Sequence, residues 1–441
     1  MTRLSYYNVA QMKDFLKPLT AGKGAWETLV LAASVLALFS ALLSISAEQA
    51  FLTLALAGWI VLFLQKKRTF AAPAFFWPLL AYVALSLVAT AFSKSVPLSL
   101  SDDKGMLIFL AVPIFFAAFT RADEFGLPYA ALLFSAVLSA VYAIGYFFIE
   151  FKGTLDTAHR VRAFMSHYMT QGGVCLLFCA LALAFVVFKR GKARIAWAAG
   201  FAAGAVALLL TLMRSGWIGI GVALCVLLAL WKPKLILLVP FLAGLVYFAS
   251  PQAVKARILS IFSLQGYSNA ERVEYARAGL KIIRDYPLFG TGPKTVSIVF
   301  QDPKYGLSEL AKRNVHLHSN VIQIAAERGL PALLAWLAFI AAAFVSLIRL
   351  LKTKDRALYA AAAGALAALA AFFVAGFMEY NFGDAEVATL LLFIITLPFA
   401  MERANARRCG EERFCATTKQ SPGPDAIASS PPSLRDRGSS Q

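Results

Sequence analysis

Residues 195–231 read IAWAAGFAAGAVALLLTLMRSGWIGIGVALCVLLALW. Apolar side chains fill both sides of a short connection at Met213-Arg214-Ser215. Each half approaches the roughly 20 residues that a helix needs to cross the hydrocarbon core of a bilayer. Lipid offers no partner to an exposed N–H or C=O, so runs of this length read as helices, which satisfy their own backbone groups. The stretch is therefore a pair of transmembrane helices joined by a tight turn.

The pattern recurs along the chain. Apolar runs at 27–47, 49–64, 73–92, 105–120, 127–149, 171–188, 195–212, 215–231, 235–250, 330–348, 357–377 and 385–401 predict an all-α polytopic membrane protein of about twelve spans. Composition agrees: of 441 residues, 60% are hydrophobic and 15% charged, with a mean hydropathy of +0.69, which leaves too little polar surface for a water-soluble globule. The expected organisation is an amino-terminal segment 1–26, nine spans within 27–250, one large external loop 251–329 containing short helices, three more spans within 330–401, and a Ser/Pro/Arg-rich tail 402–441 without periodicity, expected to be disordered.

Basic residues mark alternate connections. Lys66-Lys67-Arg68, Arg121, Lys189-Arg190 with Lys192 and Arg194, Lys232 with Lys234, and the cluster from Arg349 to Arg356 all fall on one side if the amino terminus is inside. Arg3, Lys13, Lys17 and Lys23 precede the first span, and Arg403, Arg407 and Arg408 follow the last, so both termini are expected in the cytoplasm. The net charge of +18 is thus a topology signal and an attraction to anionic lipid. It is not a nucleic-acid footprint. The polar first 25 residues give no cleavable signal pattern. Cys175, Cys179 and Cys225 fall within spans and Cys409 and Cys415 in the tail, so neither a disulfide framework nor a zinc site is expected.

Arginines on the other side work against this rule and need another reason. They are Arg160 and Arg162, with His159 and His167, in the connection 151–170; Arg214 in the tight turn; and Arg272, Arg277, Arg284, Arg313 and Arg328, with His316 and His318, in the large loop. All four histidines lie on this face. Lys255, Arg257, Lys304 and Lys312 read as solvated loop residues, since long loops are exempt from the charge rule. Arg214, at the edge of two spans, either snorkels to the interface or binds an anion in a membrane-edge cavity, and we prefer the second reading.

The segment from Glu271 to Tyr286 reads as an amphipathic helix with Val273, Ala276, Leu280 and Ile283 on its apolar stripe. At 3.6 residues per turn Arg272 falls on that stripe, while Arg277 and Arg284 fall on the solvated one. Pro287 stops the helix, and Gly290-Thr291-Gly292-Pro293 makes a turn able to present backbone N–H groups to a ligand. His316-Leu317-His318-Ser319-Asn320 then precedes a helical run from Val321 to Glu327, with a Gly329 stop and Pro331 opening the next span. The helix start disfavours imidazolium, which suits a general base whose ordinary pKa is about 6.5. A capping or interfacial histidine is the plainer alternative. His-x-His metal binding lacks a third ligand at useful spacing. Asp102-Asp103 is the nearest approach to a paired acidic motif and reads as a solvated turn. No Walker loop, Gly-x-Ser-x-Gly elbow or external cysteine nucleophile is found.

These residues resemble the O-antigen ligase family, which includes polysaccharide polymerases and protein O-oligosaccharyltransferases. The similarity rests on Arg214-Ser215-Gly216-Trp217-Ile218-Gly219; on Arg272 ahead of Asp285-Tyr286-Pro287-Leu288-Phe289-Gly290-Thr291-Gly292; on His318-Ser319-Asn320 with Glu327-Arg328-Gly329-Leu330-Pro331; and on a single large loop late in the chain. Met213 stands where the family often has Ser, and Ser319 where Asn often follows the His.

The resemblance implies a membrane glycosyltransferase of the bacterial inner membrane, with its active site on the periplasmic face. It would take a glycan from undecaprenyl pyrophosphate to a sugar hydroxyl of lipid A core, inverting the anomeric centre, without metal or cofactor. It further implies that Arg214 and Arg272 grip the pyrophosphate, that Arg160, Arg162 and His316 assist in binding substrate, and that His318 is the general base. A polymerase or O-oligosaccharyltransferase would share the donor site. A lipid-linked glycan transporter is a remote alternative, because charges sit at span ends and the halves show no repeat. Glu327, Tyr380, Asn381 and Asp384 are expected on the external side, with roles left open.

Overall fold

A computed structural model describes residues 16–263 and 267–420, and among these the chain is all helix and loop. Twelve apolar runs become α1 (Ala25–Ser40), α2 (Ile45–Leu64), α3 (Phe76–Ala91), α5 (Ala111–Ala118) preceded by a 3-10 segment, α6 (Gly126–Ile149), α7 (Tyr168–Phe188), α8 (Gly191–Leu210), α9 (Arg214–Trp231), α10 (Val239–Ala249), α14 (Asn320–Leu350), α15 (Arg356–Ala375) and α16 (Ala385–Gln420). Eight helices among the described residues are long and apolar enough to span a bilayer, and α1, α3 and Pro233–Ala249 are shorter. The chain is a multi-pass membrane protein.

Among the described residues the exact count of twelve full spans is not confirmed, and two of the expected runs are broken near a proline. Pro113 and Pro240 lie in the first turns of α5 and α10, where a missing N–H is tolerated. The runs 105–120 and 235–250 break into a 3-10 turn and a shorter helix.

The core is built on α7, α15 and α16, in whose most apolar 18-residue stretches 78%, 78% and 83% of the residues are buried. Small residues let them approach: Ala360 to Ala363 and Ala365 are buried, and a Cβ on Gly364 would lie 2.7 Å from a Leu181 side-chain carbon. By contrast α10 contributes no buried residue and stands at the periphery.

The connections expected inside gather at one end. Lys23 pairs with Glu124, Arg68 Nη2 with Glu27 Oε1 at 2.8 Å, and Asn405 Nδ2 donates to Asp355 Oδ2 at 2.8 Å. Residues 402–408, assigned by sequence to a disordered tail, continue α16, which runs to Gln420. Residues 421–441 of that tail and residues 1–15, with Arg3 and Lys13, lie outside the described residues.

At the other end the loop 251–329 folds into short helices, α11 (Gln252–Leu259), α12 (Tyr267–Asp285), α13 (Val296–Val299) and two 3-10 turns, and its Pro293 O accepts from Ser99 Oγ of α4 (Val96–Asp103) at 2.7 Å. They share a small core of Tyr275, Ala278, Ile282, Val296, Phe300, Tyr305 and Leu317. The buried stripe of α12 is thus Tyr275, Ala278, Gly279 and Ile282; the expected stripe was rotated, for Leu280 is 62% exposed and Val273 37%. Gly279 admits Ile322, whose Cγ2 would lie 2.3 Å from a Cβ there.

The kink in α14 explains how this cap is fastened. Gly329 (φ 81°) separates the loop helix 320–328 from the span beyond it, as the Gly/Pro reading predicts. Thr291 N donates to Ala326 O at 2.9 Å, Gly292 N to Glu327 O at 2.8 Å, and Leu330 N to Pro287 O at 2.8 Å. The Gly290–Pro293 turn is therefore a clip. Thr291 and Gly292 spend their N–H groups on α14 and Gly290 donates to Tyr286 O at 3.1 Å, so none is available to a ligand, which corrects the sequence reading.

Candidate functional site

An open cavity of about 790 Å³ lies between the cap and the span ends. Its walls include Arg160, His167, Tyr168, Arg214, Arg257, Arg272, His316, His318, Glu379, Tyr380 and Asp384. Three of the chain's four histidines and four arginines meet here, although they come from 151–170, the α8–α9 turn, the cap and the α15–α16 connection.

Arg214 enters through a strained turn. Leu212 has φ 51°, unusual for a side-chain-bearing residue, and places Arg214 at the first position of α9. The guanidinium is turned into protein rather than out to the interface: the residue is 7% exposed, and Nη1 donates to Ser260 O at 2.8 Å and Ser260 Oγ at 3.2 Å. Arg257, read from sequence as a solvated loop residue, also faces the cavity. It is half-buried because its Nε reaches back to Leu212 O at 3.3 Å, which ties α11 to the same turn. Burial and then repulsion from Arg160, Arg214 and Arg272 push its pKa down to about 10. Arg160 stacks on Tyr168, its guanidinium carbon 4.4 Å from the ring centroid. Such a concentration of fixed positive charge suits an anion with several oxygens.

Arg272 and His318 converge on Glu379. Arg272 Nε donates to Met378 O at 3.0 Å and its Nη2 lies 3.5 Å from Glu379 Oε2. His318 Nδ1 lies 3.0 Å from Glu379 Oε1. Burial alone would raise the Glu379 carboxyl, but the His318 hydrogen bond and the neighbouring His318, His316 and Arg272 outweigh it and hold the pKa below the usual range. An ionised carboxylate only accepts, so His318 Nδ1 carries a proton toward it, and in the neutral form of the ring Nε2 keeps its lone pair.

Asn320 makes this meeting possible. Its N–H donates to Gly376 O at 2.7 Å, its Nδ2 to Asn381 Oδ1 at 2.6 Å, and its Oδ1 accepts from Phe382 N at 3.0 Å. Gly376 clears the way, since a Cβ there would lie 2.3 Å from Asn320 Nδ2. The 376–382 loop is thereby pinned beside His318.

His316 stands edge-on to His318, ring centroids 4.2 Å apart. Burial first and then neighbouring His318 push its pKa down to about 4, so the ring is neutral at pH 7. His316, His318 and Glu379 each bring a potential ligand atom within 4.8 Å of the others, an arrangement able to hold a metal ion. The sequence reading found no third ligand because Glu379 is remote in the chain.

Arg162 does not join the site. It is exposed and Nη1 reaches only Ser166 O, at 3.4 Å, because the backbone turns over at Ala163 (φ 44°). His159 pairs with Asp156 at 2.9 Å outside the cavity. Arg277 and Arg284 are exposed, as expected.

Of the residues left open by sequence, Tyr380 and Asp384 line the cavity and Glu327 and Asn381 are buried behind it. Burial, with repulsion from Glu379 and Glu386, raises the Asp384 pKa to about 7. Asp102 and Asp103 are not a solvated turn. Asp102 Oδ2 accepts from Arg328 Nη2 at 2.6 Å and Asp103 Oδ2 from Thr90 Oγ1 at 2.8 Å, so α4 is anchored to the kinked helix.

Residues 199–337 match the family model described as O-Antigen ligase. The matched stretch contains Arg214, Arg257, Arg272, His316 and His318, while Arg160, His167 and Glu379 lie outside it. No curated protein matches the chain.

Proposed function

We propose that this chain, which carries the O-antigen ligase family segment of polytopic membrane glycosyltransferases, is an O-antigen ligase that takes its glycan from undecaprenyl pyrophosphate and gives it to a sugar hydroxyl of lipid A core. The observation that carries this reading is the Glu379–His318 contact beside four clustered arginines. Arg214, Arg257 and Arg272, with Arg160, would bind the pyrophosphate oxygens, a task that paired guanidinium donors perform well.

In this reading the step is a direct displacement at the anomeric carbon. His318 Nε2 accepts the proton of the acceptor hydroxyl as its oxygen attacks the anomeric carbon. The bond from that carbon to the phosphate oxygen breaks, and its electron pair leaves with the carrier pyrophosphate. Glu379 balances the imidazolium that forms. Attack opposite the leaving group inverts the anomeric centre. Preorganised positive charge stabilises the departing anion electrostatically, the contribution that a divalent ion makes in other transferases, so the reaction runs without metal.

In this reading the cavity opens to the periplasm, the basic connections lie in the cytoplasm with both termini, and the chain resides in the bacterial inner membrane. His316 and Asp384 border the acceptor. A polymerase or protein O-oligosaccharyltransferase would use the same donor residues with another acceptor.

The test is transfer by purified protein from a polyprenyl-pyrophosphate glycan to lipid A core with chelator present. Transfer that survives chelation and collapses in His318→Ala and Arg272→Ala at equal folded yield supports the proposal. Activity persisting in His318→Ala removes the base. Transfer lost on chelation and restored by Zn²⁺ gives the His316/His318/Glu379 cluster to a metal instead.

A further inference from the structure

At the end of the molecule remote from the cavity, Lys67 and Arg68 from the α2–α3 connection meet Arg403 and Arg407 from α16 around a pocket of about 120 Å³. Phe116, Ala117 and Phe119 form its apolar base, Thr69 and Thr120 add hydroxyls, and no Asp or Glu lines it. Two of the four cations are held in place. Glu27 Oε1 takes Arg68 Nη2 at 2.8 Å from outside the pocket, and the Arg403 guanidinium lies over the Phe116 ring, 5.0 Å from its centroid.

Such a cluster of like charges is costly on its own. Arg403 and Arg407 are four residues apart on one helix, a spacing at which like charges destabilise, and both Arg68 and Arg407 repel Arg403. The cations also sit where apolar helix gives way to polar chain: Leu62-Phe63-Leu64 precedes Lys67, and Phe399-Ala400-Met401 precedes Arg403. That is the depth of lipid headgroups, where basic pockets between helices recognise anionic ones.

We propose that this pocket is a phosphate-binding site, its three arginines and one lysine enclosing a phosphate group, either that of an anionic phospholipid headgroup or free phosphate. Guanidinium forks match phosphate oxygens, and the pocket has room for the group with bound water. The inference does not depend on the glycosyl-transfer reading.

The experiment is thermal unfolding of the full-length protein in neutral detergent, with added phosphatidylglycerol, phosphatidylcholine, or sodium phosphate against sodium chloride at equal ionic strength. Native mass spectrometry counts retained lipid. We expect phosphatidylglycerol to raise Tm above phosphatidylcholine. Arg403→Gln/Arg407→Gln should lose most of that shift and bind phosphatidylglycerol at least about tenfold more weakly, as loss of charge-assisted hydrogen bonds requires. Lys192→Gln, which removes an exposed charge elsewhere, should keep both. Stabilisation by sodium phosphate with the same arginine dependence supports the site and names free phosphate as its source. An equal phosphatidylglycerol effect in wild type and double variant, or no effect of either ligand on wild type, overturns the proposal. Should the double variant fold poorly, Lys67→Gln, at an exposed residue, supplies the same comparison.

Discussion

Glu379 Oε1 lies 3.0 Å from His318 Nδ1 across 61 residues of sequence, and this contact sets the direction in which His318 can accept a proton. The carboxylate orients the ring and selects its tautomer, leaving Nε2 as the acceptor.

Removing that carboxylate should therefore slow transfer without abolishing donor binding. Glu379→Ala is expected to lower kcat with a smaller change in donor KM, and His318→Ala to cost about 10²–10⁴ in kcat, the usual contribution of a general base. Steady-state kinetics on both variants check this; a Glu379→Ala effect confined to KM would contradict an orienting role.

Two nearby arginines should behave oppositely. Arg257 faces the cavity and Arg162 does not, so Arg257→Gln should raise the donor KM by about tenfold or more, the loss of one charge-assisted hydrogen bond, while Arg162→Gln stays near wild type. Equal effects of the two substitutions would remove Arg257 from the proposed clamp.

The raised pKa of Asp384, about 7, predicts a pH-dependent penalty. Between its unfolded value near 3.9 and about 7 the native carboxyl holds a proton that the unfolded chain releases, so its contribution to stability is present at low pH and is lost as pH rises through this window. Asp384→Asn should match wild type in Tm near pH 4 and exceed it at pH 8. A gap that shrinks with rising pH would contradict the assignment.

Arg328 is 4% exposed and ion-paired to both Asp102 and Glu327. Arg328→Ala leaves buried carboxylate without its partner and should destabilise the protein by about 3–5 kcal/mol, as breaking buried pairs does. Denaturant or thermal unfolding in detergent measures it.

Gly329 offers a conformational test. Its φ of 81° and a Cβ that would fall 2.1 Å from Leu288 O make Gly329→Ala strained and obstructed, with an expected cost of at least about 1–3 kcal/mol. Gly221→Ala, where a Cβ meets nothing within 4 Å, should fold normally. Yields of monodisperse protein separate the two.

The sequence made the architecture readable wherever one physical signal dominated. Apolar length located the helices, and Arg214, Arg272 and His318 stood out because each broke a local rule: charge at a span edge, charge on an apolar stripe, histidine at a helix start. What remained hidden depended on pairing at a distance. Glu379 follows an apolar span and has no local pattern, and its role exists only because Asn320 carries its loop to His318. Arg257 looked like any loop arginine until the α8–α9 turn brought Leu212 O within reach. The Gly290–Pro293 turn misled in the opposite sense, since a glycine pair that exposes N–H groups to a ligand and one that spends them on a neighbouring helix are identical in sequence.

The main-chain bonds that fasten this turn on both sides of Gly329 also bear on traffic through the cavity. Opening the cap like a hinged lid would break all three at once, together with the bond from Lys94 N to Thr291 O at 2.8 Å. Cap and span are one mechanical piece. Under the proposed transfer, a cap fastened in this way does not swing as a hinged lid, so donor and acceptor would enter through the mouth that the cavity already presents.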